Sequence, residues 1–362
     1  MAATANRLRI AVLYGGRSAE HEVSLMSATN VVRALDPRGY EVVPIYITRD
    51  GRWLLAAVEG GNERGTLARP EGGTEVCLVP GGRGRLLAIA ADGTAGELPK
   101  IDVLFPVLHG LHGEDGAVQG LAEVARVAYV GCGILGSAAA LDKVVAKRLM
   151  AEAGVPVARS VAITRDAVPA FAALAEALGA PLFVKPARQG SSVGVSKVAT
   201  ADEYADAIAE GFRHDDKLLA EEFVRGREVE LSVLEAPDGG LFVSRPGEIA
   251  TAASHGFYSY DAKYVDAGGA VLTVPAELPE AVEAELRAVA AKAFRAVGCD
   301  GMARVDFFVT AEPRLLVNEL NTIPGFTDIS MYPKAMAASG VGYAELIDRL
   351  VAHALARAGR EA

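Results

Sequence analysis

Cysteine is scarce: Cys77, Cys132 and Cys299 lie far apart in a chain of 362 residues, with no CxxC pair. That excludes a disulfide framework and a cysteine zinc site, and leaves buried, reduced thiols as the expected role. No apolar stretch approaches the roughly 20 residues that a membrane helix needs, so no membrane partner is expected. The first apolar run, Ile10 to Tyr14, is too short for a signal-peptide core and runs directly into glycine. It reads as a first strand, in a cytoplasmic protein. Positive charge is in deficit, with 36 Lys and Arg against 46 Asp and Glu for a net charge of -10. Phosphate backbones require clustered Lys and Arg, so no nucleic-acid partner is expected. The chain also has no Gly-Lys dipeptide, and with it no G-x-x-x-x-G-K-[ST] phosphate loop. Any phosphate bound here must sit in a local pocket of another construction.

What is present suits two or three domains with sizeable cores. The first third alternates strand-like runs (8 to 14, 41 to 47, 101 to 108, 127 to 130) with helical periodicity after His21 and after Asp115. That is the signature of an α/β domain with a parallel sheet. Residues 51 to 100, rich in Gly, Glu and Arg, read as a peripheral hairpin insertion without chemistry, with Trp53 inside it. From Ser137 the pattern becomes α+β. A helix capped by Ser137 and ended by Gly154 is expected, then a strand, a helix over 166 to 178 and the paired strands PLFVKP and VGVSKV. Further strands are expected near 217 to 224 and 228 to 235, a helix from Pro279 to Gly298, a strand hairpin, and a last helix over 342 to 358. The irregular stretch 247 to 269 holds Gly, Ser and three Tyr, and reads as a lid that closes over substrate to exclude water.

Two glycine motifs fail on their context. Gly131, Gly133 and Gly136 form G-x-G-x-x-G between a strand and a helix, but the strand that follows, VPVARSVAIT, carries no acid for a ribose. Gly190, Ser192 and Gly194 form G-x-S-x-G, but a strand follows the serine where a nucleophile elbow needs a helix. Read whole, Phe183-Val-Lys-Pro-Ala-Arg-Gln-Gly-Ser-Ser-Val-Gly-Val offers a lysine at a strand end, a loop able to expose several N-H groups, and a returning strand. This suits a flap over phosphates. The plain alternative is a flexible hairpin with a snorkelling lysine.

In ARVDFFVTAEPRLLVNELN, a hairpin centred between Glu312 and Pro313 sets Asp306 opposite Glu319 and Arg304 opposite Asn321, all on one face. Two facing carboxylates repel unless a cation lies between them, and oxygen ligands from Asp, Glu and Asn select Mg2+ or Mn2+. The alternative is a solvated acidic face. With the lysine flap upstream, the hairpin makes a Mg-ATP site.

These residues, in eight ordered blocks, carry a resemblance. The blocks are GGRSAEHEVSLMSA (15 to 28), LHGLHGEDGAVQG (108 to 120), GCGILGSAAALDK (131 to 143), VKPARQGSSVGVSKV (184 to 198), EEFVRGREVE (221 to 230), YDAKY (260 to 264), RVDFFV (304 to 309) and NELNTIPGFTDISMYP (318 to 333). The chain resembles the D-alanine:D-alanine ligases of the ATP-grasp superfamily along nearly its whole length. The resemblance implies an ATP-grasp fold, α/β and α+β, with an N-terminal Rossmann-like parallel-sheet domain (1–131), a central subdomain (132–221) and a C-terminal one (222–362). It implies two-step ligation of two D-alanine molecules through an acyl phosphate, with ATP and two Mg2+ ions (or Mn2+), in a homodimer formed through the first domain. D-alanyl-D-lactate or D-alanyl-D-serine ligation is the alternative, and Lys263-Tyr264 favours the dipeptide.

The roles it implies are specific. Lys143, Lys185 and Lys263 match phosphate contacts; Glu221, Glu222, Phe223 and Val224 match the strand that holds adenine; Glu228 matches the ribose ligand. Asp306, Glu319 and Asn321 match the metal ligands. Glu20 matches the acid for the first D-alanine's ammonium, with His109 near it. Arg304 and the N-H of Gly325 match the oxyanion pair, and Ser330 and Met331 the second substrate's carboxylate site. Ser191 and Tyr264 match a hydrogen-bonded set with Glu20 that latches the mobile loop. His21, His112 and His255 are expected in loops or on the surface.

Overall fold

The structure, a computed structural model, describes residues 7–35, 39–59, 65–251, 270–312 and 314–360. The first strand, β1 (Arg9–Gly15), is apolar on both faces, as a strand covered on two sides must be. It leads through α1 (His21–Leu35) to β2 (Glu41–Ile47), and β1 and β2 pair in parallel. After the segment 51–100 come β9 (Val103–Pro106), α2 (Ala117–Ala125) and β10 (Ala128–Tyr129), giving the parallel order β10-β9-β1-β2.

Segment 51–100 is more than a peripheral hairpin. Strands β3 (Trp53–Leu55), β6 (Glu75–Leu78), β7 (Leu86–Ile89) and β8 (Ala95–Leu98) continue the sheet beyond β2 in antiparallel register, while β4 (Val58–Glu59) and β5 (Thr66–Leu67) pair separately. Val76, Leu78 and Leu86 are buried with Ile45 and Leu104, so the short apolar pieces serve the domain core.

The helix expected over 137 to 154 is two helices, α3 (Ile134–Leu141) and α4 (Lys143–Glu152). Asp142 breaks it, because its extended backbone lets the carboxylate cap α4 by accepting the N-H groups of Val144 and Val145. Ser137 caps nothing; it is buried within α3 and donates to the Cys132 carbonyl. The G-x-G-x-x-G glycines are explained by packing. A side chain at Gly136 would meet Cys132 Sγ and the Gly298 carbonyl at 2.5 Å, and the N-H of Gly133 at the α3 terminus donates to Asp300.

A four-stranded antiparallel sheet follows, ordered β11-β14-β12-β13 from β11 (Ser160–Thr164), β12 (Leu182–Pro186), β13 (Ser196–Val198) and β14 (Lys217–Glu222). It is backed by α5 (Phe171–Leu178), which starts later than expected, and by α6 (Ala201–His214), opened by a Thr200–Glu203 capping box. The third sheet runs β18 (Ala270–Thr273), β17 (Gly247–Thr251), β15 (Arg227–Glu235), β19 (Met302–Val309), β20 (Leu315–Asn321), with β16 (Leu241–Val243) beside β15. Its apolar face packs on α3, α4 and α7 (Glu280–Val297), which ends at a left-handed Gly298. Helices α8 (Met331–Ala338) and α9 (Tyr343–Arg360) share a core with α1 and the first sheet, centred on Phe105, Phe326 and Tyr332. That shared core fixes the first sheet against the loop that follows β20. Among the described residues, no helix is long and apolar enough to cross a membrane.

Candidate active site

A cavity of about 440 Å³ opens between the second and third sheets. Lys143, Lys185, Ser191, Glu221 to Val224, Glu228, Asp306 and Glu319 all line it, so residues assigned from five separate sequence blocks meet in one space. Lys143 opens α4, and its ammonium donates to the Gln189 carbonyl at 2.8 Å and lies 3.3 Å from Glu319. Lys185 projects from β12, donating to Glu221 at 2.6 Å and, at 3.4 Å, to Asn318. At the other end, β14 ends at Glu222 and the chain leaves strand geometry at Phe223, whose ring lies 5.9 Å from Phe183 and 4.2 Å under the Lys197 ammonium. The Glu222 carboxylate is taken by Arg159, through its backbone N-H at 2.8 Å and its Nε at 2.7 Å, so what Glu222 offers the cavity is its backbone.

The acidic hairpin holds the expected pairs: Asp306 faces Glu319 and Arg304 faces Asn321. Nearer the turn the register shifts by one, Phe307 pairing with Val317, so Asn318 is an extra residue, a β-bulge. Were Asn318 paired in regular register instead, Glu319 would face Val305 and enter the core. Arg304 grips both oxygens of Asp306 at 2.7 Å and reaches Glu230 at 3.0 Å, while Asn321 donates to Asp306 at 3.2 Å. Burial alone would lower the Arg304 pKa, but Asp306 and Glu230 hold it far above its ordinary value. Among the described residues no three His, Cys, Asp or Glu cluster as a closed metal cage. Two carboxylates and an amide oxygen are a donor set for a hard ion that keeps water or phosphate oxygens as its other ligands.

The flap loop reaches the first sheet. Ser191 and Ser192 both have left-handed backbone, with φ of 50° and 59°, and Ser191 Oγ donates to the Glu20 carboxylate. A side chain at Gly190 would lie 3.1 Å from that carboxylate and crowd the approach. Glu20 precedes α1, and His109 follows β9. His109 Nδ1-H donates to the Ile323 carbonyl at 3.0 Å, leaving Nε2 buried and without a hydrogen-bond partner among the described residues. Burial pulls the His109 pKa down, against an opposing pull from Glu20. Glu114 accepts from Gly110 N-H at 2.7 Å and Ile323 N-H at 3.2 Å, tying this loop to the one that carries Gly325. Its carboxyl is pushed up to about 8, chiefly by burial and then by Glu20. Beyond Gly325, Ser330 Oγ accepts the Thr327 N-H at 3.0 Å, and Ser330 and Met331 form the N-terminus of α8.

His21, expected in a loop or on the surface, opens α1 and is buried, with Nδ1 donating to the Gly16 carbonyl at 2.6 Å and Nε2 accepting from Tyr46 at 3.2 Å. His112 is in an exposed loop; Cys132 and Cys299 are buried, and Cys77 is exposed. Lys263, Tyr264, His255 and most of the expected lid lie outside the described residues. Four site residues escaped sequence reasoning: Glu114, Lys147, Glu230 and Asn318. Two had a signal, because Lys147 lies one helical turn from Lys143 on the same face, and Glu230 lies two residues after Glu228 and so shares its strand face.

Residues 9–132 match the family model for the D-ala D-ala ligase N-terminus, and residues 149–352 match that for its C-terminus. The chain is 64% identical over 351 residues to D-alanine--D-alanine ligase A of Brucella melitensis biotype 1, covering 97% of this chain and 98% of that relative. It is 60% identical over 353 residues to the corresponding protein of Mesorhizobium japonicum, with 97% and 98% covered. Among solved structures, the D-alanine-D-alanine ligase from Coxiella burnetii superposes with a TM-score of 0.82 at 34% identity, over 99% of this chain and 96% of that one. A D-Ala:D-Ser ligase from Enterococcus faecalis gives 0.82 at 35%, over 96% and 100%. With both halves matched in order and an ATP-grasp architecture in common, the chain belongs to the D-alanine–D-alanine ligase family.

Proposed function

We propose that this chain joins two molecules of D-alanine into D-alanyl-D-alanine, with ATP converted to ADP and phosphate, for peptidoglycan precursor synthesis in the cytoplasm. The carboxylate of the first D-alanine attacks the γ-phosphorus and ADP leaves. The amine of the second then attacks the resulting acyl phosphate and phosphate leaves. The observation that carries this reading is the Ser191–Glu20 hydrogen bond. It brings the loop over the phosphate end of the cavity against an acid suited to an ammonium group, so that the two reactants adjoin.

Each step asks for groups that are present. Lys143 and Lys185 neutralise phosphate charge, which is the main demand of phosphoryl transfer. Phe223, Val224 and the Glu222 backbone flank the base, the Glu221 carboxylate lies where Lys185 enters, and Glu228 takes the ribose. Glu20 holds the first ammonium, and its charge acts on the buried imidazole of His109. Arg304 and the Gly325 N-H stabilise the oxyanion of the tetrahedral intermediate. Ser330 and the N-H of Met331, at a helix N-terminus, receive the second carboxylate. Two magnesium ions, when held by Asp306, Glu319 and Asn321, supply further neutralisation of phosphate oxygens. Lys263 and Tyr264 complete the phosphate site and the latch, over three parts divided at 131 and 221 and in a homodimer through the first of them.

The second reading, D-alanyl-D-serine or D-alanyl-D-lactate ligation, uses the same first step. Relatives at 60% identity and above named as D-alanine--D-alanine ligases favour the dipeptide. The test is ADP release from Mg-ATP with D-alanine, for the wild type and for Asp306→Asn. D-alanine-dependent ADP that Asp306→Asn fails to produce supports the reading. Equal ADP release by both proteins contradicts the assigned site.

A further inference from the structure

Glu221 is buried between two lysines that reach it from different elements. Lys185, on β12, donates to Oε1 at 2.6 Å; Lys147, on α4, sets its Nζ 2.6 Å from Oε2, a charge contact not aligned for a hydrogen bond. Lys147 is 4% exposed and Glu221 is 3% exposed, and Lys147 does not line the cavity, whereas Lys185 does. Beyond the pair, Lys143 on α4 and Glu319 on β20 are the next charges, and on β11 the residue opposite Glu221 is the uncharged Ser160. The cluster therefore holds one more lysine than ATP contacts require.

We propose that Lys147 is a positioning residue, the permanent counter-ion of Glu221 that releases Lys185 to the phosphates of ATP. The inference rests on reading the cavity as an ATP site. Lys185 cannot serve both partners fully. As its ammonium turns to phosphate, Glu221 loses one of its two cations inside a low-dielectric wall. An unpaired buried carboxylate is strongly disfavoured and takes up a proton instead. With Lys147 in place, Glu221 stays ionised and no proton is needed. Burial would push the Glu221 carboxyl up, and the attraction of Lys185 and Lys147 overrides it and holds it low. Lys147 in turn is drawn below the ordinary lysine range by burial, against the pull of Glu221.

The sign of the effect follows. In Lys147→Met, Lys185 is the sole counter-ion of Glu221. At low pH a protonated Glu221 lets Lys185 go; as pH rises, the carboxylate holds Lys185 and ATP binding must take up a proton. Affinity then falls relative to wild type by up to about tenfold per pH unit.

The test is calorimetric titration of wild type, Lys147→Met, Lys147→Arg and Lys147→Met/Glu221→Gln with ATP, without amino acid, from about pH 6 to 9. The inference expects the ratio of the Lys147→Met Kd to the wild-type Kd to climb with pH. It expects Lys147→Arg to track wild type, and the double variant to lose the pH dependence because no carboxylate remains to reclaim Lys185. A Lys147→Met ratio that is flat with pH overturns it, as does a double variant with the same slope. A purely structural role would lower melting temperature without a pH-dependent Kd, and Glu221→Gln would not correct it. If wild type binds no ATP at all, the reading of the cavity fails first.

Discussion

Asp306 stands directly opposite Glu319 although the turn between their strands is one residue out of step with that pairing; Asn318, inserted in β20, takes up the difference. Side chains alternate faces along a strand, so leaving Asn318 unpaired keeps Glu319 on the acid face and out of the core. Deleting Asn318 leaves Glu319 directly after Val317 and still opposite Asp306, so D-alanine-dependent ADP release is expected to survive the deletion. Asn318→Ala keeps the bulge and loses only a 3.4 Å contact with Lys185, so its kcat/KM is expected to fall less than about tenfold. Assays of the two variants side by side check this, and abolished activity in either would contradict it.

The Ser191–Glu20 bond links the flap to the ammonium site, and it is charge-assisted. Ser191→Ala is expected to raise the KM for the first D-alanine by about tenfold, the loss of one such bond. ATP binding without amino acid should change little. Steady-state kinetics at saturating ATP, with a separate ATP titration, distinguish the two effects.

Arg304 is clamped by Asp306 and Glu230, so a lysine there loses the fork that serves both. Arg304→Lys is expected to lower kcat by about 10²- to 10³-fold, the range for losing an oxyanion donor, with a smaller change in the KM for ATP. A drop confined to KM, with kcat intact, would contradict the oxyanion role.

Glu114 carries a stability signal. Its folded pKa of about 8 lies above the ordinary carboxylate value, so the native state retains a proton that the unfolded chain has lost. Its contribution is fully present below the ordinary carboxylate range and is lost as pH rises through about 8. The slope is at most about 1.4 kcal/mol per pH unit. Urea unfolding across that window, for wild type and Glu114→Gln, should show the wild type losing stability relative to the variant as pH rises.

Much of this was legible in the sequence. The parallel sheet of the first third followed from strand-like runs alternating with helical periodicity, and the Asp306–Glu319 pairing from counting across one hairpin. What escaped was decided by three-dimensional competition. Asp142 looked like a helix-interior residue because nothing local marks that its carboxylate caps α4 and also pairs with Lys217. The pieces of 51–100 looked peripheral because each is too short to show periodicity, although together they extend a sheet. The bulge escaped because it left the predicted pairs intact while moving the turn. Glu114 and Lys147 escaped because a buried charge is recognised by its partners, and those lie 209 and 74 positions away in sequence.

The decisive measurement is mass identification of the product formed from Mg-ATP and an equimolar mixture of D-alanine, D-serine and D-lactate, with ADP followed in parallel. D-alanyl-D-alanine as the main product, in step with ADP and absent when L-alanine replaces D-alanine, is the expected result. ADP release that yields chiefly D-alanyl-D-serine or D-alanyl-D-lactate would contradict the assignment of the second substrate, and no D-alanine-dependent ADP would contradict the reaction itself.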